Sequence, residues 1–512
     1  MQSTLQSPSR TTPLLLAALG VGIAGDLLIP SDLWRTGFAL WMAVVAIVAI
    51  GLRGRNSSAS VAMTAEDGRS YRERTALITG TAVATAGLAW RDAEMLLPID
   101  LLSTLCMGAL VAWHGTGRQL GDLTVVQSLR AAAIGVVTLA TGAPSALRDG
   151  AEHSEAERAA LVRHLRAIMI GIVLGVPPFL LVGGLLGDSD QRFADHLSAL
   201  HRLLRNDGVA HFLTTAFVGW LALGWLRNAT RDRVPTVVPE VRSPGLPLLT
   251  VSVGLTGLIA LLALYLTTQA QALFGGAEHL LATVGLTPAE YARRGFFEMV
   301  VASGVVVGTL IVAEWLLHED PTARRRFAMI GGVLVAEVAA LLLSAVARMR
   351  LYIGEFGLTE DRVLAVAIMA LVAAALAVVV ASLPRGQSTR FAPRMLGVTI
   401  GWVALLNVVN PEAIVVRTNL ARAAEGGTFD VSYHAKLSGD AVAVLVSEAG
   451  RLPAPTCAAL STALTAHWSK RLAESSGDWR SESLSSRRAR TWHAAGATLP
   501  CRVEGASEGT AQ

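Results

Sequence analysis

Three segments of the sequence, residues 291–298, 348–362 and 410–441, combine arginine with acidic and aromatic residues. Guanidinium groups bind phosphate or carboxylate through paired hydrogen bonds, and a neighbouring carboxylate can orient them or act as a base. This pattern predicts a site for an anionic group. Asp26, in the first apolar segment, is an additional acidic residue of this predicted site. The predicted ligand-binding residues are Asp26, Arg293, Arg294, Glu298, Arg348, Arg350, Tyr352, Glu355, Asn410, Glu412, Arg417 and Asp440.

The elements that must position these residues are membrane-spanning helices. Hydrophobic residues make up 52% of the chain, charged residues only 16%, and the mean hydropathy is +0.50, which excludes a disordered chain and a disulfide scaffold. The predicted fold class is all-α, a polytopic transmembrane helix bundle of about 11 spans across a hydrocarbon core of about 30 Å. The spans are predicted at residues 12–29, 33–52, 75–90, 96–114, 166–187, 207–227, 247–268, 295–317, 326–347, 362–383 and 393–409.

Arginine placement predicts the orientation of the bundle. Arginines concentrate in alternate loops, so the positive-inside rule places the amino terminus in the cytoplasm. The net charge is +4, and because this basic excess serves orientation, no nucleic acid partner is predicted. An odd number of spans then exports the carboxyl terminus. Residues 128–144 are apolar but short and end at Pro144. We interpret them as an interfacial or re-entrant helix, because a span there would export the arginine-rich loop that follows.

Composition divides the chain into three parts. Residues 1–409 form the bundle, residues 410–476 a small extracytoplasmic helical module, and residues 477–512 a Ser/Arg-rich flexible tail. Cys457 and Cys501 both lie in the exported part, where an oxidising compartment would allow a disulfide. Two free thiols in a mobile tail are the alternative.

The polar segments also carry a resemblance to a known family. Residues 250–445 resemble DUF4173, a family of bacterial polytopic membrane proteins of unknown function that is related to DUF4153, and the likeness before residue 250 is one of hydropathy alone. The resemblance implies the fold class and a membrane location, but no activity. The matching residues are Phe274–Gly276, Tyr291–Glu298, Arg350–Tyr352, Glu355–Thr359, Asn410–Glu412, Asn419–Leu420, Asp430–Tyr433 and Leu437–Ala441.

Three functions remain open from the sequence. The first is an integral protein of the bacterial inner membrane whose outward-facing site binds a partner or an anionic small molecule or lipid head group. The second is an enzyme acting on a lipid-linked, phosphorylated substrate at the outer leaflet, although no motif specifies a reaction and a non-enzymatic role is favoured. The third is a secondary transporter in which Glu337, near the middle of a span, carries a proton or ion.

Two further expectations accompany these functions. No cofactor and no metal site are predicted, because the sequence contains none of the common ligand spacings. A purely structural interpretation of the polar segments also stands, in which they form an ion-pair and hydrogen-bond network that holds the outer loops to the exported module.

Overall fold

The computed structural model describes residues 11–29, 34–54, 65–114, 171, 175, 207–230, 245–274, 296–317, 320–385, 391–475 and 477–501. Within these residues the chain forms fifteen α-helices and no β-sheet, which confirms the predicted all-α class. The first ten helices are α1 Thr11–Leu28, α2 Thr36–Gly54, α3 Ala65–Trp90, α4 Leu96–His114, α5 Asp207–Thr230, α6 Leu248–Phe274, α7 Phe296–Leu316, α8 Pro321–Phe356, α9 Glu360–Ser382 and α10 Phe391–Val409. The last five are α11 Pro411–Ala424, α12 Val431–Ala435, α13 Gly439–Glu448, α14 Ala454–Glu474 and α15 Leu484–Ala494.

Ten of the eleven predicted spans coincide with these helices. In the described part of the chain, five helices, α6 to α10, are long and apolar enough to cross a membrane, and α1, α2 and α4 contain shorter apolar stretches. The predicted span at 166–187, apart from positions 171 and 175, and the interfacial segment at 128–144 lie outside the described residues. The structure therefore confirms a polytopic helical bundle.

Helix α8 is the longest helix among the described residues. Its 36 residues correspond to about 54 Å of helix. Asp320 caps its start by accepting a hydrogen bond from the Ala323 amide (2.9 Å), and Gly357 ends it at φ 77°. A side chain at Gly357 would also collide with Asn419 of α11, at 2.7 Å from its Oδ1. Glycine is therefore required where α8 turns into α9.

The amino-terminal helices α1, α2 and α5 share one small core, which contains the buried side chains of Val21, Val45 and Leu226. Helices α1 and α5 approach closely at Gly22, where a Cβ would lie 2.6 Å from the Thr215 carbonyl oxygen. Small residues permit such close packing of helices in a membrane. The larger core joins α6, α7, α8 and α9.

Helices α11 to α15 form a separate core next to the bundle. Val415, Leu445, Leu464 and Trp468 are almost fully buried in it. The amphipathic spacing along α13 and α14 places these apolar residues on one face of each helix. Helices α11 to α14 lie within residues 410–476, the range predicted for the module, and α15 lies beyond it.

The structure differs from the prediction of a flexible tail, because residues 477–501 are folded against the module. Ser483 caps α15 by accepting from the Ser486 amide (3.0 Å), and Ala489 and Leu499 are buried in the module core. Cys501 forms a disulfide with Cys457 of α14. The sequence of this segment did not indicate a fold, because serine and arginine are abundant in it and its helix buries only a narrow apolar face. We call residues 477–501 the closing segment.

Candidate functional site

One end of the bundle meets the module, and we call this region the junction. The α3–α4 turn, the α8–α9 turn and the end of α10 all contact helices α11 to α14 there. The closing segment reaches further, to the α1–α2 end, where Arg480 Nη1 donates to the Leu27 carbonyl (2.6 Å) and Thr36 donates to the Glu482 carbonyl. Residues distant in sequence therefore share one polar region.

Asp440, in the first turn of α13, is the centre of the junction. Its side chain is buried and accepts hydrogen bonds from Arg91 Nη1 (3.2 Å) and Ser485 Oγ (2.7 Å). It also accepts from the backbone amides of Asp92 (2.5 Å) and Ala93 (2.9 Å). A buried carboxylate with four donors is fully satisfied, so its first role is to hold the α3–α4 turn against the module.

Asp92 makes the reciprocal contacts from the bundle side. Its buried carboxylate accepts from the Gly439 amide (2.8 Å) and from Arg471 Nη2 of α14 (3.0 Å). Arg35 Nη2 lies 3.7 Å from the same carboxylate, and Arg35 donates to the carbonyls of Arg91 and Asp92. Three arginines thus face the two carboxylates of Asp92 and Asp440.

Arg91 also holds the end of helix α10. Its Nε donates to the Asn407 carbonyl (2.6 Å) and its Nη2 to the Val408 carbonyl (3.2 Å). The last carbonyls of a helix lack partners within the helix and carry partial negative charge, so a cation stabilises them. Asn407 in turn donates to Asp100 of α4 (2.8 Å). Arg91 therefore joins α3, α10 and α13.

A cavity of about 190 Å³ opens beside this cluster, and we call it the cap cavity. Arg91, Asn410 and Asp440 line its bundle side, and Ser485, Arg488 and Trp492 of the closing segment cover it. Among the described residues, Arg488 has no ion-pair or hydrogen-bond partner, and the buried indole N–H of Trp492 has none either. The cavity therefore presents one exposed guanidinium without a partner, and its lining arginines, Arg91 and Arg488, outnumber its one carboxylate, Asp440.

Glu412 lies behind this cavity in the first turn of α11. Its side chain is buried and accepts from the Ser438 amide (3.0 Å) and the Ser438 hydroxyl (2.7 Å). Burial, together with the negative charges of Glu360 and Asp440, raises the pKa of Glu412 to about 8, although the two Ser438 bonds act in the opposite direction. Its protonated form is therefore favoured at pH 7.

The α8–α9 turn is fixed to the module by Asn419. This side chain accepts from the Leu358 amide (2.8 Å) and donates to the Leu358 carbonyl (2.8 Å). Its amide also donates to His434 Nε2 (3.0 Å), so Nδ1 carries the proton that His434 donates to the Asp430 carbonyl (2.7 Å). Burial lowers the pKa of His434, which keeps this clamp neutral.

A second cavity, of about 480 Å³, lies between the α8–α9 turn and α12, and we call it the hairpin cavity. The Arg362 guanidinium stacks over the Tyr352 ring, 4.0 Å from its centroid, and Tyr433 Oη accepts from the Glu360 amide (2.9 Å). The cavity is polar at this end and apolar at the other. Its lining residues are Met349, Tyr352, Thr359, Glu360, Asp361, Arg362, Leu364, Ala365, Ile368 and Tyr433.

The structure brings three of the predicted site residues together, namely Asn410, Glu412 and Asp440. Asn410 adopts φ 56°, caps α11 by accepting from the Ala413 amide (3.1 Å), and donates to the Asp440 carbonyl (3.3 Å). These three predicted residues are therefore neighbours at the junction. Its centre, however, is Asp440 with Arg91 rather than an array of arginines from all three segments.

The predicted residues of α8 do not form one cluster. Arg348 is buried and Arg350 is exposed, because residues two apart point to different sides of a helix. Tyr352 lines the hairpin cavity, whereas Glu355 is exposed. Glu337, in the middle of α8, has one buried carboxylate oxygen without a hydrogen-bond partner among the described residues.

The remaining predicted residues lie elsewhere. Arg417 forms an exposed ion pair with Glu448 (2.9 Å). Asp26 accepts from His211 Nδ1 of α5 (2.9 Å), and none of its described contacts reaches Asp440. Arg293 and Arg294 lie outside the described residues, as does the side chain of Glu298.

Sequence reasoning missed most residues of the cap cavity. Arg91 and Asp92 form a Trp-Arg-Asp turn between two apolar segments, and a charged pair at such a turn was the available signal. Ser485, Arg488 and Trp492 gave no such signal, because they lie in the segment that its composition marked as a tail.

Comparison with known proteins gives one match. The family described as "Domain of unknown function (DUF4153)" matches residues 78–448, which include every bundle helix from α4 onward and helices α11 to α13. No curated protein and no solved structure matches the chain. The matched family is the DUF4153 relative of the predicted DUF4173 family, so the prediction is confirmed at that level.

Proposed function

This chain belongs to the DUF4153 family of domains of unknown function, and we propose that it binds a phosphate or carboxylate group in the cap cavity, on the extracytoplasmic side of a cell membrane. The observation that carries the proposal is the Arg488 guanidinium, an exposed group that lines the cavity and has no partner among the described residues. The Trp492 indole N–H of the same helix is buried without a partner. A buried donor without a partner costs free energy, which an incoming acceptor removes.

The charge of the cavity supports an anion. The residues that line the cavity include two arginines, Arg91 and Arg488, and one carboxylate, Asp440. Arginine is the residue best suited to bind phosphate and carboxylate, because its planar group offers parallel donors. The volume of about 190 Å³ is about six times that of a water molecule in the liquid. A phosphate-sized head group therefore fits.

Two observations support an extracytoplasmic junction. The Cys457–Cys501 disulfide belongs to the closing segment, and disulfides persist in oxidising compartments. The opposite ends of the bundle helices carry Arg227 at the end of α5, residues 324–326 at the start of α8 and Arg394 at the start of α10. Under the positive-inside rule that end faces the cytoplasm.

The experiment measures the thermal stability of the purified full chain in detergent against inorganic phosphate concentration. A ligand that binds only the folded protein stabilises it by RT ln(1 + [L]/Kd), so the melting temperature rises with ligand concentration, and a weaker Kd shifts that rise to higher concentration. We expect Arg488→Ala to weaken the phosphate response at least tenfold and Trp492→Phe to weaken it less. Arg490→Ala is the matched control, because Arg490 lies on the same helix and pairs with Glu482.

A second arm separates free phosphate from a lipid head group. Nanodiscs of phosphatidylglycerol and of phosphatidylcholine replace the phosphate titration, and stabilisation by phosphatidylglycerol alone identifies an anionic lipid as the source. The proposal fails if wild type responds to neither phosphate nor phosphatidylglycerol, or if Arg490→Ala loses as much of the response as Arg488→Ala.

A transporter that uses Glu337 is the second candidate, and the unpartnered carboxylate oxygen in the middle of α8 favours it. An ionisable group in a span is costly and commonly serves an ion pathway. In the phosphate assay, Glu337→Gln leaves the response unchanged if the cap cavity alone binds the anion. Loss of the response in that variant would couple the two sites and favour transport.

A further inference from the structure

We propose that the hairpin cavity binds an amphiphile with a primary ammonium head group, such as an aminophospholipid of the membrane that surrounds the chain. This site is separate from the cap cavity and does not depend on its proposed anion. Three properties of the cavity carry the inference: its charge, its unpartnered acceptor and its apolar depth.

The charge of the hairpin cavity is opposite to that of the cap cavity. Glu360 and Asp361 supply two carboxylates, and Arg362 supplies the only cation among its lining residues. The Arg362 group is already engaged, because it stacks on the Tyr352 ring and its Nη1 donates to the carbonyls of Phe356 (3.1 Å) and Gly357. The cavity therefore favours a cation over an anion.

The unpartnered acceptor is a carboxylate oxygen of Glu360. Its Oε1 is buried and has no hydrogen-bond partner among the described residues. The Tyr433 hydroxyl oxygen accepts from the Glu360 backbone amide (2.9 Å), which holds the phenol at the start of α9. A buried acceptor without a donor is unfavourable until a donor arrives. A primary ammonium group supplies three donors and no acceptor, which matches this need.

The apolar depth of the cavity points to the rest of the ligand. Leu364, Ala365 and Ile368 follow Glu360 along α9, one to two turns further into the apolar helix, and Met349 of α8 faces them across the cavity. Beyond its charged first turn, helix α9 is long and apolar enough to cross a membrane. A ligand that fills this space therefore places a polar head at the junction and an alkyl chain along α8 and α9.

The experiment compares retention of dioleoyl phosphatidylethanolamine and dioleoyl phosphatidylcholine by the purified full chain, using native mass spectrometry after exchange from mixed nanodiscs. The two lipids have the same chains and phosphate, but only the first has N–H donors. We expect wild type to prefer phosphatidylethanolamine and Glu360→Gln to reduce its retention at least fivefold without changing that of phosphatidylcholine. Glu355→Gln is the control, because Glu355 is an exposed acid of the same hairpin.

A second variant keeps the test informative if Glu360→Gln lowers stability. Leu364→Trp fills the apolar part of the cavity, and we expect it to reduce retention of phosphatidylethanolamine at least threefold while the phosphate response of the cap cavity stays as in wild type. The proposal is overturned if wild type retains both lipids equally, if Glu355→Gln and Glu360→Gln have equal effects, or if Leu364→Trp retains phosphatidylethanolamine as wild type does.

Discussion

The cap cavity and the hairpin cavity lie at the same end of the bundle but are built in different ways. The cap cavity combines residues that are more than 300 positions apart, such as Arg91 and Asp440, and it is covered by a disulfide-bonded segment. The hairpin cavity is lined mainly by residues 349–368, which form the end of α8, the α8–α9 turn and the start of α9, and Tyr433 of the module completes the lining. Long-range ionic contacts hold the first, and local helix geometry holds the second.

Because the two cavities are held by different interactions, we expect different substitutions to disrupt them. The cap cavity depends on buried charges, each of which leaves another unpaired when removed. The hairpin cavity depends on the α8–α9 turn, which neutral groups of Asn419 and His434 hold in place. Substitutions in the Asp440 cluster should therefore have larger effects on stability than substitutions in the hairpin.

The largest effect is expected for Asp440→Ala. The substitution leaves Arg91 and the amides of Asp92 and Ala93 without their acceptor. Removing one partner of a buried ion pair costs about 3–5 kcal/mol. We expect a large loss of folded protein, measured by fluorescence-detected gel filtration after heating. Glu448→Ala, which breaks only exposed ion pairs with Arg417 and Arg451, should cost less than about 1 kcal/mol.

Equal effects of Asp440→Ala and Glu448→Ala would contradict the proposed difference between the cavities. They would mean that the buried cluster contributes no more to stability than an ion pair at the surface.

The next effect is expected for the double variant Cys457→Ser/Cys501→Ser. The disulfide joins residues 44 positions apart, and closing a loop of that length contributes about 2–4 kcal/mol. The closing segment carries Ser485, Arg488 and Trp492, so its release should open the cap cavity. We expect faster proteolysis within residues 477–501 and a weaker phosphate response, with phosphatidylethanolamine retention unchanged.

Cys106→Ser is the matched control for the disulfide variant, because Cys106 is a free, exposed cysteine. If proteolysis within residues 477–501 is as slow in the double variant as in the control, the disulfide does not hold the cap cavity closed.

Over a single pH unit, a smaller effect is expected through Glu412, which interacts electrostatically with Glu360 and Asp440. Its pKa is about 8 in the folded chain against 4.5 for a free glutamate side chain, so the folded state binds more protons between these values. The contribution of Glu412 to stability is full below pH 4.5 and is lost as pH rises towards 8, by at most about 1.4 kcal/mol per pH unit. Glu412→Gln should remove this dependence.

The measurement is the difference in unfolding free energy between wild type and Glu412→Gln at several pH values, since the difference cancels the titration of His434. Glu474→Gln, at an exposed position beside Lys470, should follow wild type. A difference that stays constant with pH would show that Glu412 is charged in the folded chain.

The sequence predicted the helices better than the site, for a physical reason. A span needs only a long apolar stretch, which is a local property, and ten of the eleven predicted spans are helical. Asp440 was predicted because its own segment is rich in polar residues. Its partners Arg91 and Ser485 were not, because only the folded chain shows that a bundle turn and the closing segment meet α13.

The predicted arginine array also shows that a high number of arginines in a short segment does not by itself predict a shared site. Arg348 and Arg350 are close in sequence, yet one is buried and the other exposed. The helical period of 3.6 residues separates them. The closing segment was misjudged because serine and arginine dominate its composition, while burial of Ala489 and Leu499 and the disulfide fold it.

The most direct test of the account crosses two ligands with two variants. Inorganic phosphate and phosphatidylethanolamine are measured on Arg488→Ala and on Glu360→Gln, each as the purified full chain. The account predicts that Arg488→Ala loses only the phosphate response and Glu360→Gln loses only phosphatidylethanolamine retention. If either folded variant loses both, or if the losses are exchanged, two separate cavities of opposite charge do not exist at this junction.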